Sequence, residues 1–268
     1  MTVLEVAKAM LEGYPLCDHC LGRQFALLGH GLSNQERGEA IKLLLTAEGH
    51  RLAIEGEDSG RELLKTIAVN GFSEVASQTM RSMGLEVGEA APSCYLCGGK
   101  FDSLGEAAQR IAERLSEYEY QTFLIGVRIP ADVEEREDEL RAKYNVRWGE
   151  NIRSGFSREV GKGVSELTGK VADFKRPDIL AIINPFTNRI SLQVNPLFIA
   201  GRYRKLVRGI PQAKWICREC DGRGCPRCGW TGKMYQESVE ELIAASIIER
   251  TAGVNAKFHA AGREDVDA

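Results

Sequence analysis

At 268 residues and 29.6 kDa the chain is longer than one average domain and shorter than two full ones, taking ~150 residues per domain as a soft guide. With 43% hydrophobic and 27% charged residues and a mean hydropathy of −0.24, it is neither a disordered chain nor a fibre. The net charge of −3 advertises no general affinity for nucleic acid, no apolar run reaches the ~18 residues of a membrane span, and Glu5 and Glu12 interrupt the opening where an export signal would be continuous. A cytoplasmic protein is expected.

Val3, Val6, Ala7 and Met10 recur at helical spacing and predict a short helix over residues 2–12. The pair Cys17/Cys20 follows. Ser33 and Glu36 have the spacing of a capping box and open a second helix through Ile41, Leu44 and Leu45. Two more helices are expected over 61–69 and 73–83, parted by Asn70-Gly71. After Cys94/Cys97 comes a strongly amphipathic helix over 104–118, with Leu104, Ala108, Ile111 and Leu115 on one stripe. Residues 1–100 therefore read as a helical module.

Beyond it the texture changes. Residues 123–129 form a strand-like run, the acidic stretch 131–141 reads as a solvated helix face without a function, and 151–169 reads as a helix loosened by glycine. Strands over 178–184 and 189–195 are joined by Pro-Phe-Thr-Asn, a hairpin signal. Strand, two helices and hairpin over 101–200 fit a small α+β domain, and α+β is the class expected for the chain. Ser238 and Glu241 form another capping box, launching a last helix through Ile247 that leaves Leu242, Ile243, Ile247 and Ile248 partly exposed.

All eight cysteines fall in Cys-x-x-C pairs: Cys17/Cys20, Cys94/Cys97, Cys217/Cys220 and Cys225/Cys228. Two intervening residues let both sulfurs of a pair converge on one ion from a tight turn, and four thiolates close a tetrahedral zinc site. Residues 217–228 form a compact, glycine-spaced site of this kind. Cys17/Cys20 with Cys94/Cys97 form a long-range clip, so two structural zinc ions are expected. A thioredoxin-like redox dithiol needs one pair beside a helix start in a βαβ unit, and four pairs argue against it. His19 and His30 permit a three-cysteine, one-histidine site, but we read both as surface or supporting residues.

Between positions 201 and 233 stand nine basic residues against two acidic ones, a net of +7 in a chain whose total is −3. Arg202, Arg204, Lys205, Arg208 and Lys214 lead this stripe, and Tyr203, Trp215 and Trp230 are interleaved with it. Such asymmetry is expected of a surface that binds phosphates and stacks bases. The alternative is that the aromatics brace the zinc turns while the arginines keep the surface soluble.

The stretch RPDILAIINPFTNRISLQVNPLFIAGRYRK resembles the end of a THUMP domain, a tRNA-binding α+β module. With CDHCLGRQFALLGHGLSNQERG, CYLCGGKFDS, the block from Gly201 to Ile243 and FHAAGREDVDA, the chain resembles the archaeal-type, THUMP-containing tRNA pseudouridine synthases of the Pus-ten family. The resemblance implies isomerisation of uridines 54 and 55 in the T loop, with the T arm and elbow of tRNA as partner and no organic cofactor. The family's catalytic carboxylate lies in a Gly-Arg-x-Asp motif. Here it reads Gly262-Arg263-Glu264-Asp265, which implies Asp265 as nucleophile and Arg263 as the residue that orients it and fills the gap left by the flipped base.

The implied division is a zinc-clipped module over 1–100, a THUMP-like domain over 101–200, and over 201–268 a zinc-ribbon-like insert with the start of the catalytic domain. The family continues with most of its catalytic sheet beyond this point. The chain alone is therefore expected to be inactive or nearly so: an incomplete synthase, or half of a split enzyme completed by a separate polypeptide. Two other functions fit the residues: a non-catalytic, zinc-stabilised tRNA-binding module, and a chaperone-like zinc protein suggested by CRECDGRGCPRC alone.

Overall fold

The structure is a computed structural model that describes residues 1–264, 266 and 267; Asp265 lies outside the described residues. It divides into two compact units, Met1–Pro196 and Leu197–Ala268. None of the described helices is long and apolar enough to cross a membrane.

The first unit opens with α1 (Val3–Gly13), started by a reciprocal cap between Thr2 and Glu5 and burying Val6, Ala7, Met10 and Leu11. Next comes α2 (Asp18–Arg23), too short to show a hydrophobic period and so invisible to pattern reading. The capping box of Ser33 and Glu36 does open α3 (Asn34–Ile54). This helix runs on past Leu45 because Thr46, Gly49 and Ala53 continue its buried face, and such small or polar residues leave no apolar stripe. Added Cβ atoms at Gly22 and Gly38 would overlap the carbonyls of Asn34 and Asp18, so these glycines set how closely α2 lies on α3. Helices α4 (Asp58–Val69) and α5 (Glu74–Ser82) complete the helical layer.

The rest of this unit runs α6 (Leu104–Leu115), β1 (Thr122–Val127), α7 (Ala131–Lys143), α8 (Ile152–Thr168), β2 (Val171–Ala172), β3 (Ile179–Asn184) and β4 (Arg189–Val194). The sheet has the order β2-β1-β3-β4, with β1 parallel to β2 and β3 and the expected antiparallel hairpin between β3 and β4. Alternation buries Phe123, Ile125 and Val127 of β1 and Ile179, Ala181 and Ile183 of β3. Helix α8 packs on β1 and on α6. The start of β1 is fixed by Asp178, whose carboxylate accepts the N–H groups of Gln121 at 2.8 Å and Thr122 at 2.9 Å. These two donors hold its carboxyl below the usual range.

Helix α7 corrects one expectation. Its acidic sequence reads as wholly solvated, yet Glu137 is only 2% exposed and forms an ion pair with Arg23, which is 0% exposed. Glu137 also accepts from Arg141 at 3.3 Å and from the Ile152 N–H at 2.8 Å, so one carboxylate joins α2, α7 and the start of α8. A run of like charges hides such a member because its partner lies more than a hundred residues away.

Two outcomes follow for denaturant unfolding. Arg23→Met removes the fully buried cation paired with Glu137, leaving Arg141 at 3.3 Å, and should cost about 3 kcal/mol, whereas the double change Arg23→Met with Glu137→Leu should recover most of it. Asp178→Ala should cost about 1 kcal/mol at neutral pH. Because the folded carboxyl titrates below its unfolded value of ~3.9, that contribution is present above this value. It disappears as pH falls through the lowered folded one.

Candidate metal centres and nucleic-acid interface

Cys17 sits at the start of α2 and Cys20 within it, while Cys94 and Cys97 lie in the turn before α6. Two contacts bring these segments together: Tyr95 N–H donates to Pro15 O at 2.7 Å and Cys17 N–H to Cys94 Sγ at 3.4 Å. The four sulfurs lie within 4.8 Å of one another, and Cys17 Sγ is 3.7 Å from Cys97 Sγ. A tetrahedral ion with metal–sulfur bonds of ~2.3 Å has sulfur–sulfur edges of ~3.8 Å, so the donor set fits a metal without rearrangement. Arg23 adds a positive charge, donating to Cys20 Sγ at 3.6 Å. Burial first, and then the neighbouring sulfurs of Cys17, Cys94 and Cys97, drive the Cys20 thiol well above its usual value, which a bound cation would offset.

The second cluster is local. Cys217, Cys220, Cys225 and Cys228 also converge within 4.8 Å, with sulfur separations of 3.7 and 3.9 Å. The frame is a short antiparallel ribbon: Cys217 N–H bonds to Gly232 O, Met234 N–H to Trp215 O, and Ile216 bridges Lys233. Gly224 (φ +92°) and Gly232 (φ +71°) occupy left-handed turns where added Cβ atoms would strike the backbone of Trp230 and Gly222. Burial works to raise the Cys228 thiol, but the N–H groups of Cys225 and Gly232, together with the neighbouring sulfurs of Cys225 and Cys220, outweigh it and bring it down to about 6. A sulfur that collects N–H donors is disposed to be a thiolate ligand. Both clusters could hold a metal ion. His19 joins neither; its ring stacks on Phe101 at 4.6 Å.

Within the second unit, Arg202, Arg204, Arg208 and Lys214 are exposed and make no side-chain ion pair among the described residues. Tyr203 and Lys205 are half-buried and turn toward their own chain. Lys205 Nζ donates to Val266 O at 2.8 Å, and Tyr203 OH accepts from Gln212 Nε2 at 3.1 Å. Gln212 in turn donates to Gly262 O at 2.9 Å and accepts from the Glu264 N–H at 3.4 Å. Gly262 and Glu264 are thus held by Gln212, and Val266 by Lys205, with Arg263 exposed. Trp215 packs edge-on against Tyr235 at 5.5 Å, whereas Trp230 is 73% exposed. Gln212 escapes a reading of the sequence because a lone amide between proline and alanine belongs to no period or motif.

Helix α9 (Val239–Thr251) begins at the Ser238 cap. Of its apolar residues only Val239 is buried; Leu242 is exposed, and Ile243, Ile247 and Ile248 are half-buried.

Comparison with known proteins gives consistent matches. Residues 107–184 match the family profile of the archaeal Pus10 THUMP domain, and residues 198–268 match that of the Pus10 C-terminal region. The tRNA pseudouridine synthase Pus10 of Methanocaldococcus jannaschii is 43% identical over 96% of this chain and 56% of its own length. That of Methanothrix thermoacetophila is 39% identical over 99% of the chain and 57% of its own. For that of Pyrococcus furiosus the figures are 36%, 99% and 54%. The chain thus spans just over half the length of these curated relatives.

Cobalt(II) titration of the thiol-reduced protein should give the intense absorption of tetrahedral thiolate coordination, saturating at one ion per cluster. Cys97→Ser and Cys225→Ser should each remove one equivalent; saturation at a single ion in the unaltered chain would dismiss one of the two centres.

Proposed function

Because the chain belongs to the Pus10 family, we propose that it acts on tRNA as a pseudouridine synthase, with uridines 54 and 55 of the T loop as its targets. The observation that carries this reading is a juxtaposition within residues 197–268. Exposed cations at 202, 204 and 208 share a compact unit with Gly262 and Glu264, which Gln212 holds on either side of Arg263. We read that unit as supplying both the phosphate-binding charge and the motif that carries the carboxylate.

The reaction breaks the bond from uracil N1 to ribose C1′, turns the base, and forms a bond from C5 to C1′; the C5 proton leaves and N1 gains one. Nothing is oxidised or reduced, so no redox cofactor is consumed. An anion beside the ribose is required, to attack C1′ or to take the C2′ proton, and we assign that role to Asp265. Arg263 orients it and occupies the space vacated by the extruded base. Arg202, Arg204, Arg208 and Lys214 bind the phosphates of the T arm, with Tyr203 and Lys205 at the inner edge of the stripe. For both cysteine clusters we assign zinc, the ion suited to a closed tetrahedral set of thiolates. Four thiolates leave no open coordination position, so its part is to hold the fold. A cytoplasmic location agrees with this activity.

Incubating unmodified tRNA with the chain, alone and completed by the portion that its longer relatives carry, and mapping pseudouridine tests the assignment. The chain alone should give little or no product, and in the completed protein Asp265→Ala should abolish product at the T loop; product that survives the change would sink the assignment. Binding of tRNA without isomerisation by the completed protein would favour the non-catalytic module. Arg204→Ala with Arg208→Ala should weaken tRNA binding and flatten the plot of log affinity against log salt by ~1.5, as two phosphate contacts are lost. An unchanged slope would remove these arginines from the interface.

A further inference from the structure

Gln212 is fixed at both ends. Its backbone belongs to the start of α9: Gln212 O accepts from Glu240 N–H at 3.0 Å and Pro211 O from Val239 N–H at 3.0 Å. Those N–H groups open a helix and would otherwise lack partners, so the chain at 211–212 is tied to a rigid element. From that base the carboxamide reaches the carboxyl-terminal segment. Nε2 donates to Gly262 O and to Tyr203 OH, and Oε1 accepts from Glu264 N–H. Both amide hydrogens and the oxygen are therefore engaged.

The pattern resembles one rung of a β-ladder made by a side chain: the carbonyl of one residue and the N–H of the second residue along are bound together. Only an amide offers donor and acceptor at that separation. Downstream, Val266 O accepts from Gly209 N–H at 3.0 Å and from Lys205 Nζ at 2.8 Å. Backbone contacts thus fall on Gly262, Glu264 and Val266, the positions that alternate in sequence with Arg263 and Asp265. Binding the backbone on both sides of Arg263 restrains that residue while its side chain stays exposed.

We propose that Gln212 is the positioning residue of the Gly-Arg-x-Asp segment, setting Arg263 and Asp265 relative to the bound ribose by holding the backbone around Arg263. The proposal rests on the assignment of Asp265 to the reaction. Gln212 touches neither substrate nor reacting atoms; it acts through the segment it holds.

The test compares Gln212→Met, of similar length but without the amide, and Gln212→Glu, which keeps the acceptor for Glu264 N–H and loses the donor to Gly262 O. Amide hydrogen exchange of the full chain should show Glu264 N–H exchanging about tenfold faster in Gln212→Met, one net hydrogen bond being lost. The Cys217 N–H, bonded to Gly232 O, should keep its protection; an equal rise at both amides would mark general loosening and overturn the proposal. In single turnover on a T-arm RNA, with the chain completed by the portion that its longer relatives carry, a loosened segment should slow the chemical step about a hundredfold while RNA affinity holds, with Gln212→Glu between the two. Unchanged Glu264 protection in Gln212→Met overturns the inference, as does an unchanged rate where Asp265→Ala abolishes turnover. If Asp265→Ala stays active in the completed protein, or the completed protein makes no product, the assignment of the reaction falls instead. The exchange result alone then decides whether Gln212 holds the segment.

Discussion

A guanidinium removed from water must be neutralised and hydrogen-bonded where it lies, and Arg23 imposes that requirement on the first unit. Its side chain reaches the sulfur of Cys20 on one side and the carboxylate of Glu137 on the other. Glu137 takes the N–H of Ile152 and Arg141 takes the carbonyl of Glu150, so the helical layer and the sheet-bearing part meet through charge as well as apolar packing. Around this polar centre the contacts are tight. Asn34 and Arg158 both engage Glu150, and the stacked rings of Phe101 and Phe156 are 4.0 Å apart.

What the sequence discloses follows from what produces each element. The amphipathic stripe of α6, the capping boxes at Ser33 and Ser238 and the hairpin around Pro185-Phe186 are local codes, and each stands where its residues place it. The cysteine pairs are equally plain, because the metal-binding geometry is written in their spacing. Elements set by distant partners leave no local mark: α2, formed where Cys17 meets Cys94; β2, a two-residue edge defined by pairing with β1; and the buried Glu137. Within the candidate site the basic stripe and the Gly-Arg-x-Asp motif are legible. The inward turn of Tyr203 and Lys205, and the part played by Gln212, arise from folding the segment over 203–212 against residues 262–266.

The second unit keeps its shape with few buried side chains. Its ribbon is defined by turns, backbone pairing and sulfur convergence, and among the described residues there Pro211, Cys217 and Val239 are buried apolar ones. Small modules of this type lack the interior volume to repay chain entropy through apolar burial and need another source of stability. The four-cysteine cluster is suited to be that source. The segment 203–212 adds order by hydrogen bonding both to the first turn of α9 and to the carboxyl-terminal residues.

The long reach of the first cysteine cluster has an effect at the scale of the cell. Cys17 and Cys97 are eighty positions apart, so an ion held between them closes a loop containing α2 through α5. An ion bound only when that loop is closed draws the equilibrium toward the closed form, by ~1.4 kcal/mol for each tenfold rise in free metal above the dissociation constant. The abundance of folded protein would then follow the supply of a trace element, and starvation for it would thin that population without any change in the sequence.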